Sequence, residues 1–362
     1  MTRMTTADMT GERIFITGGA GFIGSRLTRA LVARGADVTI YDNLLEQVHG
    51  PSPRIDVPAP IIKGDVRDRE ALWKALHDYA PTMVVHLAAE TGTGQSADEP
   101  SRYAEVNVMG TAHLIEALRA AKTPPRRVVL AATRAVYGEG AYADAQGRLL
   151  VPAPRKSEAM AAGVFDLFDA DGARLTPVPT PETLPPAPGS VYGSTKLMQE
   201  YLLQQAPAPW DHVILRLQNV YGPGQSLRNP YTGVLSIFCQ QAMEGKTLNI
   251  YEDGAIDRDF VFVDDVVAAF VAACATERAV GQIVNIGAGR RTSIADAARL
   301  ILAELGLPES RHQVTGAFRA GDIRHAVADI RAAKALLDWT PRVSFEEGVK
   351  ALVAWARDEA AA

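Results

Sequence analysis

Residues 17–24 read Thr-Gly-Gly-Ala-Gly-Phe-Ile-Gly, and they follow a short apolar run, Arg-Ile-Phe-Ile-Thr, at 13–17. A strand that runs into closely spaced glycines and then into helical periodicity is the setting of a dinucleotide-binding turn. Gly18 permits the tight turn, Gly21 lets the backbone approach a pyrophosphate, and Gly24 allows close packing of helix on strand. The helix that opens here offers amide donors and the positive end of its dipole to the phosphates. Asp42 ends the next strand-like run, at 36–41, at the spacing from the glycines that a ribose-binding acid requires. A carboxylate there accepts hydrogen bonds from both ribose hydroxyls and repels a 2′-phosphate. No arginine immediately follows it, so the pattern favours NAD over NADP.

Outward from this turn, strand and helix patterns alternate. Strands are expected at 61–63, 83–87 and 127–132, with helices at 22–34, 69–79 and 101–121. Buried β-branched runs separated by helices imply an α/β fold, a doubly wound parallel sheet (Rossmann fold) with right-handed crossovers. Further along, strands are expected at 212–217, 260–263 and 282–286, and helices at 191–205, 293–305, 330–337 and from 345 to the end. The chain thus divides into a disordered leader at 1–11, an NAD-binding Rossmann domain at 12–217, and a smaller C-terminal α/β substrate-binding lobe at 218–362. The lobe is expected to interleave with the sheet. Residues 147–188 are proline-punctuated and weakly periodic, an irregular insertion of the length that lids and binding loops have; a surface excursion with no catalytic part explains them equally well.

Composition narrows the function classes. The 362 residues are 47% hydrophobic and 22% charged with a formal net charge of −5, so no global basic field invites nucleic acid or an anionic membrane. Only two cysteines, Cys239 and Cys274, are present. They form no disulfide framework or metal cluster, and they suit a reducing cytoplasm. No metal site, membrane span or secretory signal is expected.

Tyr192-Gly-Ser-Thr-Lys196 opens the helix at 191–205. The i, i+4 spacing places phenol and ammonium on one helical face. An ordinary tyrosine, with a pKa of about 10, is a poor base at neutral pH. A neighbouring ammonium and a positive nicotinamide favour the phenolate. Thr133, ending the fifth strand, places a hydroxyl near the same point. Asp65, after the third strand, is placed to bond an adenine amino group with Val66 beside the ring; a helix N-cap is the alternative. His86-Leu87-Ala88-Ala89 ends the fourth strand with small residues that leave room for a cofactor.

The segments 17–24, Asp42, 86–89, Thr133, Val136-Tyr137-Gly138 and Tyr192 with Lys196 resemble, in order and over most of the chain, the extended short-chain dehydrogenase/reductase family. Within it the chain is similar to the NAD-dependent epimerases and dehydratases, above all nucleotide-sugar 4-epimerases. Residues 90–96, 219–226 and 228–233 resemble dTDP-L-rhamnose 4-epimerases. The resemblance implies Tyr192 as base, Lys196 as its electrostatic support and ribose ligand, and Thr133 as partner of the sugar hydroxyl. It implies a bound NAD held by Gly18, Gly21, Phe22, Ile23, Asp42, Asn43, Asp65, Val66, Leu87, Ala88, Ala89, Tyr192 and Lys196. It implies a nucleotide-diphosphate sugar as substrate, met by Thr93, Thr133, Asn219, Arg258, Arg319 and Asp322, and a homodimer built on the helices at 101–121 and 191–205.

Related dehydratases carry Asp-Glu after the strand-end threonine. Here Arg134-Ala135 follow, and neither residue can serve as the acid or base of water elimination. The glutamate of related decarboxylases is absent too. Oxidation at C4, turning of the ketone and hydride return need only the groups already named. Glu90 is a second acid near the site or a polar strand-end contact. Ala326 stands where some 4-epimerases carry a bulky gate residue. A dehydrogenase or ketoreductase that releases NADH is the alternative reaction. A binding protein that kept the fold alone would not need Tyr192, Lys196 and Thr133 together.

Overall fold

The computed structural model describes residues 7–51, 53, 55–227, 233–319 and 321–361. Seven parallel strands form the central sheet: β1 (Arg13–Thr17), β2 (Asp37–Asp42), β3 (Ile61–Lys63), β4 (Met83–His86), β5 (Arg127–Thr133), β6 (Asp211–Leu217) and β7 (Ile283–Ile286), in the order β7-β6-β5-β4-β1-β2-β3. The chain starts in the middle, winds outward to β3, then returns beside β1 with β4 and winds the other way. That reversal opens a crevice beyond the carboxyl ends of β1 and β4. Register sets Thr17 against both Tyr41 and His86, and Thr133 against Leu217.

Both sheet faces are covered, so the central strands are continuous apolar runs. Ile14, Ile16, Val38, Val85, Val129, Val213 and Leu215 point to one side. There they meet Leu27 and Leu31 of α1 (Phe22–Val32) and the helix at Val263–Ala275. Phe15, Val84, Val128, Leu130 and Ile214 point to the other, against α2 (Arg69–Tyr79) and α3 (Gly110–Ala120). Next comes α4 (Val191–Gln205), whose N-terminus is capped by Ser190. The C-terminal half adds α5 (Val234–Met243), α6 (Val263–Ala275), α7 (Ile294–Leu305) and α8 (Phe345–Ala361). Helices α5, α7 and α8 enclose a second core with Tyr221, Phe260 and Phe262.

The structure departs from the sequence reading in four places. Of the expected leader, residues 7–11 are described, and they are ordered: Met9 is 2% exposed in the core beside Leu27 and Leu31, and its N–H bonds to Arg34 O at 2.9 Å. The single helix expected at 101–121 is broken into Pro100–Tyr103, a π-helical turn at Ala104–Met109, and α3. The π turn carries the fully buried Asn107, whose amide clamps the backbone N–H and C=O of Glu90 at 2.8 and 3.1 Å. Helices α5 and α6 are additional elements; α6 is apolar on nearly all sides, so it shows no one-face periodicity to read. The insertion at 147–188 is partly regular: Leu149–Leu150 and Thr176–Pro177 pair with Tyr142–Ala143, and Ser157–Ala161 is helical.

Helix α4 is tied to the sheet by an internal ion pair. Glu200 and Arg216 of β6 are both buried, joined by bonds of 3.0, 3.2 and 2.6 Å. Removing one member leaves an uncompensated charge in the interior. Glu200→Ala should lower unfolding free energy by about 3–5 kcal/mol, read from the urea midpoint of the variant against the parent protein; a loss within experimental error would show that the pair does not anchor the helix.

Candidate active site

The crevice at the strand ends is a cleft of about 1160 Å3. Gly18, Gly21, Phe22 and Ile23 form one wall with Asp42 and Asn43; Val66, Leu87, Ala88 and Ala89 form the floor; Thr133, Tyr192, Lys196 and Gln218 close the far end. Gly18 has φ +70°, and a Cβ on it would stand 2.7 Å from the backbone nitrogen of Ala88. The turn therefore accepts only glycine, and it leaves the N-terminus of α1, which has no side-chain cap, open to the cleft. Asp42 is preorganised: Oδ2 accepts from Ala20 N at 3.0 Å and Oδ1 from Leu44 N at 2.9 Å. These features fit a dinucleotide, with phosphates at the helix end and ribose at Asp42.

Asp65 differs from its neighbours, because it is not among the residues lining the cleft. Its oxygens hold the Arg67 guanidinium at 3.0 and 2.8 Å and the Asn43 amide at 3.1 Å. Burial opposes its ionisation, but these bonds prevail and hold its pKa down at about 2. The cap of α2 is Asp68, which accepts from Ala71 N, so the alternative role considered for Asp65 belongs to a residue three positions on.

At the far end, Tyr192 is half-buried, with its ring edge-on to Tyr103 at a centroid distance of 6.4 Å. The next residue must be small: a Cβ on Gly193 would stand 2.8 Å from Ala135 O. That close approach brings the first turn of α4 against the end of β5 and sets Tyr192 beside Thr133. Burial pushes the Tyr192 phenol up, while a hydrogen bond with Thr133 and the charge of Arg134 pull it down. Lys196 is buried and driven down to about 7 by loss of solvent, with Glu200 opposing. Its ammonium donates to Ala131 O at 2.7 Å and to Gln199 Oε1.

The residues expected to meet the substrate fall into groups. Thr133 lies in the cleft with Tyr192. Arg258 donates to Asp257 O at 2.7 Å; burial lowers its pKa, and the carboxylates of Asp322 and Asp257 raise it. Arg134 feels Arg258, Glu139, Asp322 and Tyr192, and burial brings its pKa down to about 9. Arg258 and Asp322 thus lie together on the lobe side, and Asn219, whose N–H bonds to Asp259 O at 3.0 Å, has its Oδ1 buried with no partner. Arg319 is exposed, its guanidinium 5.0 Å from the centre of the Tyr251 ring. Thr93 is exposed at the start of the helix Thr93–Asp98, outside the residues that line the cleft. Residues 228–232 of the segment at 228–233 lie outside the described residues. Glu90 reaches the cleft, but its carboxylate pairs with Arg102 at 2.9 Å.

Two residues of the site were not expected. Gln218 follows β6 and lines both the cleft and a small hollow shared with Arg134, His325 and Ala326; its Oε1 is buried without a partner. Gln199 stands three residues after Lys196, a helical spacing that puts it on the same face.

The fold and this constellation define an NAD-dependent α/β enzyme class. The family model "NAD dependent epimerase/dehydratase family" matches residues 14–158 and 168–287, and the chain belongs to that family. The chain is 43% identical over 354 residues to the dTDP-L-rhamnose 4-epimerase of Burkholderia thailandensis, covering 96% of each chain. In structure it is similar to the UDP-glucose 4-epimerase of Thermotoga maritima with UDP-glucose (TM-score 0.79, 30% identity, 96% of this chain and 99% of that one). It is also similar to the Thermus thermophilus UDP-glucose 4-epimerase in complex with NAD (TM-score 0.73, 29% identity, 95% and 99%). Family and fold support an NAD-dependent epimerase activity.

Gly18→Ala combines a strained φ with the clash against Ala88. It should weaken NAD binding by about tenfold or more. Release of nucleotide from denatured protein, followed by chromatography, would measure it; full NAD occupancy in the variant would refute the cradle.

Proposed function

We propose that the protein epimerises C4 of a nucleotide-activated deoxyhexose through a transient 4-keto sugar, as a dTDP-L-rhamnose 4-epimerase does. The observation that supports this most directly is the placement of Tyr192, Thr133 and Lys196 together at the end of the cleft that Gly18 opens. NAD held by Gly18, Asp42, Tyr192 and Lys196 would supply the acceptor and later the donor of the hydride. Tyr192 as phenolate removes the proton of the C4 hydroxyl while the C4 hydride departs, and Thr133 orients the reacting oxygen. The ketone turns about its diphosphate, receives the hydride on its other face, and its oxygen takes the proton back from Tyr192. Both proton and hydride return, so the reaction consumes no oxidant.

Arg258, Asn219, Arg319 and Asp322 are proposed to hold the diphosphate and the nucleoside. The buried, unpartnered oxygen of Asn219 supports this, because a buried acceptor without a donor is unfavourable until a ligand provides one. Elimination of water is disfavoured by Arg134, whose side chain answers Arg258 and Asp322 rather than supplying an acid. We also propose a homodimer through the segments near α3 and α4, which expose Met109, Met198 and Tyr201. A cytoplasmic location suits the two buried free thiols, Cys239 and Cys274.

Incubation with a panel of nucleotide sugars that includes dTDP-L-rhamnose, followed by NMR of the products, should show inversion at C4 without bulk NADH absorbance at 340 nm. Tyr192→Phe should lower kcat by about 10²–10⁴-fold and leave NAD bound. If no sugar in the panel changes configuration, the reading fails; stoichiometric NADH would identify a dehydrogenase instead.

A further inference from the structure

Lys196 carries three N–H donors into a buried seam, and their destinations can be counted. One goes to Ala131 O, one to Gln199 Oε1, and one is left for the cleft. Gln199 is fully buried. An ammonium has no lone pair, so only the amide oxygen of Gln199 can face it, and this fixes the amide's orientation. The amide nitrogen then donates to Thr111 Oγ1 at 2.7 Å and faces His86 Nε2 at 3.3 Å. His86 Nε2 also stands 3.0 Å from Thr111 Oγ1, and its Nδ1 stands 2.6 Å from Thr17 Oγ1. The Thr111 hydroxyl donates to Asn107 O at 2.6 Å, which leaves its oxygen free to accept. Burial, helped by the charge of Lys196, keeps the His86 pKa near 3 and the ring neutral. An uncharged chain of bonds therefore runs from the residue before Gly18 to the lysine.

The other groups around the ammonium do not duplicate Gln199. On its own helix are Tyr192 and Glu200, and Glu200 is matched by Arg216 of β6. His86 of β4 is neutral. Thr133 of β5 bonds the phenol, and Arg134 beyond it is a like charge. Asn107 and Thr111 carry no charge. Among the described residues, Gln199 is the side-chain acceptor on the Lys196 ammonium.

We propose that Gln199 is a positioning residue that decides where the proton shared by Tyr192 and Lys196 resides: its amide oxygen holds that proton on the lysine and so leaves the phenol ionised. The proposal rests on the reading of Tyr192 as the base. Once the pair has lost one proton, two forms compete, phenolate with ammonium and phenol with neutral amine, and only the first abstracts a proton. Such coupled groups titrate as a pair. On the acid side of the profile, the amount of reactive form depends only on how readily the phenol ionises beside a charged lysine. On the plateau, it depends on the ratio of the two forms. A change that makes the lysine lose its proton more easily therefore leaves the acid-side rates unchanged, lowers the plateau, and moves the rising limb to lower pH by the same factor.

Gln199→Met keeps the volume and removes the acceptor. In the NAD-loaded protein, the kcat plateau should fall about tenfold or more, with the rising limb about one unit lower and the acid-side rates superimposed on the parent's. Gln199→Glu, which keeps an oxygen on the ammonium, should restore the plateau. Independently of turnover, ¹⁵N NMR of Nζ-labelled lysine should show Lys196 titrating about one unit lower in Gln199→Met. Equal loss at every pH, or an unmoved Lys196 titration, would overturn the proposal. A shifted titration in a protein that turns over no sugar would uphold Gln199's hold on the proton and reject the epimerase reading.

Discussion

The ammonium of Lys196 lies between helix α4 and the sheet, in a place from which solvent is excluded and where, among the described residues, it forms no salt bridge. A charge in that position is unfavourable unless oxygen atoms surround it. The neighbouring structure meets this demand in layers. Ala131 O comes from a strand, Gln199 from the next turn of the same helix, and behind Gln199 stand Thr111, His86 and Thr17. The Glu200–Arg216 pair holds the helix against the sheet on its next turn, and Gly193 lets the helix's first turn approach Ala135. The geometry of the cleft's far end and the packing of the helix are therefore one problem in this molecule.

A second group of charges fixes the lobe side. Arg155, from the insertion, donates to Glu252 at 2.8 Å and to the backbone carbonyl of Asp322 at 2.6 Å. Arg324 reaches Glu252 at 2.9 Å and Asp253 at 2.7 Å. Glu252 is buried with φ +54°, a conformation that a non-glycine residue holds only when its surroundings over-determine it. Two guanidiniums on its carboxylate provide that determination. The insertion is thus a fixed wall of the lobe, stitched to the segment that carries Asp322 and Ala326.

The sheet was legible in the sequence because its central strands are buried on both faces and appear as unbroken apolar runs, such as Met83-Val84-Val85. The glycine turn and Asp42 in the wall of the cleft were legible because each answers a local geometric demand. Helix α6 escaped because burial on nearly every side removes the periodicity by which helices are found. The π turn at Ala104–Met109 escaped because its purpose, aiming Asn107 at the backbone of Glu90, is a tertiary matter with no local signature. Gln199 was within reach: a glutamine three residues after Lys196 faces the same side of the helix. Arg134 was read only for its inability to do acid–base work, yet its charge bears on the phenol of Tyr192 and on Arg258. The commitment of Asp65 to Arg67 depends on a guanidinium folding back two residues, which spacing alone does not reveal.

Strand β7 comes from residues 283–286, yet it completes the sheet beside β6, and α6 covers the same core as α1. A chain emerging from a ribosome must therefore expose β6 as an open edge, flanked by uncovered valines and leucines, until nearly four-fifths of the polypeptide exists. Unpaired edges of this kind invite pairing with other chains. Nascent copies are accordingly most exposed to self-association in that interval.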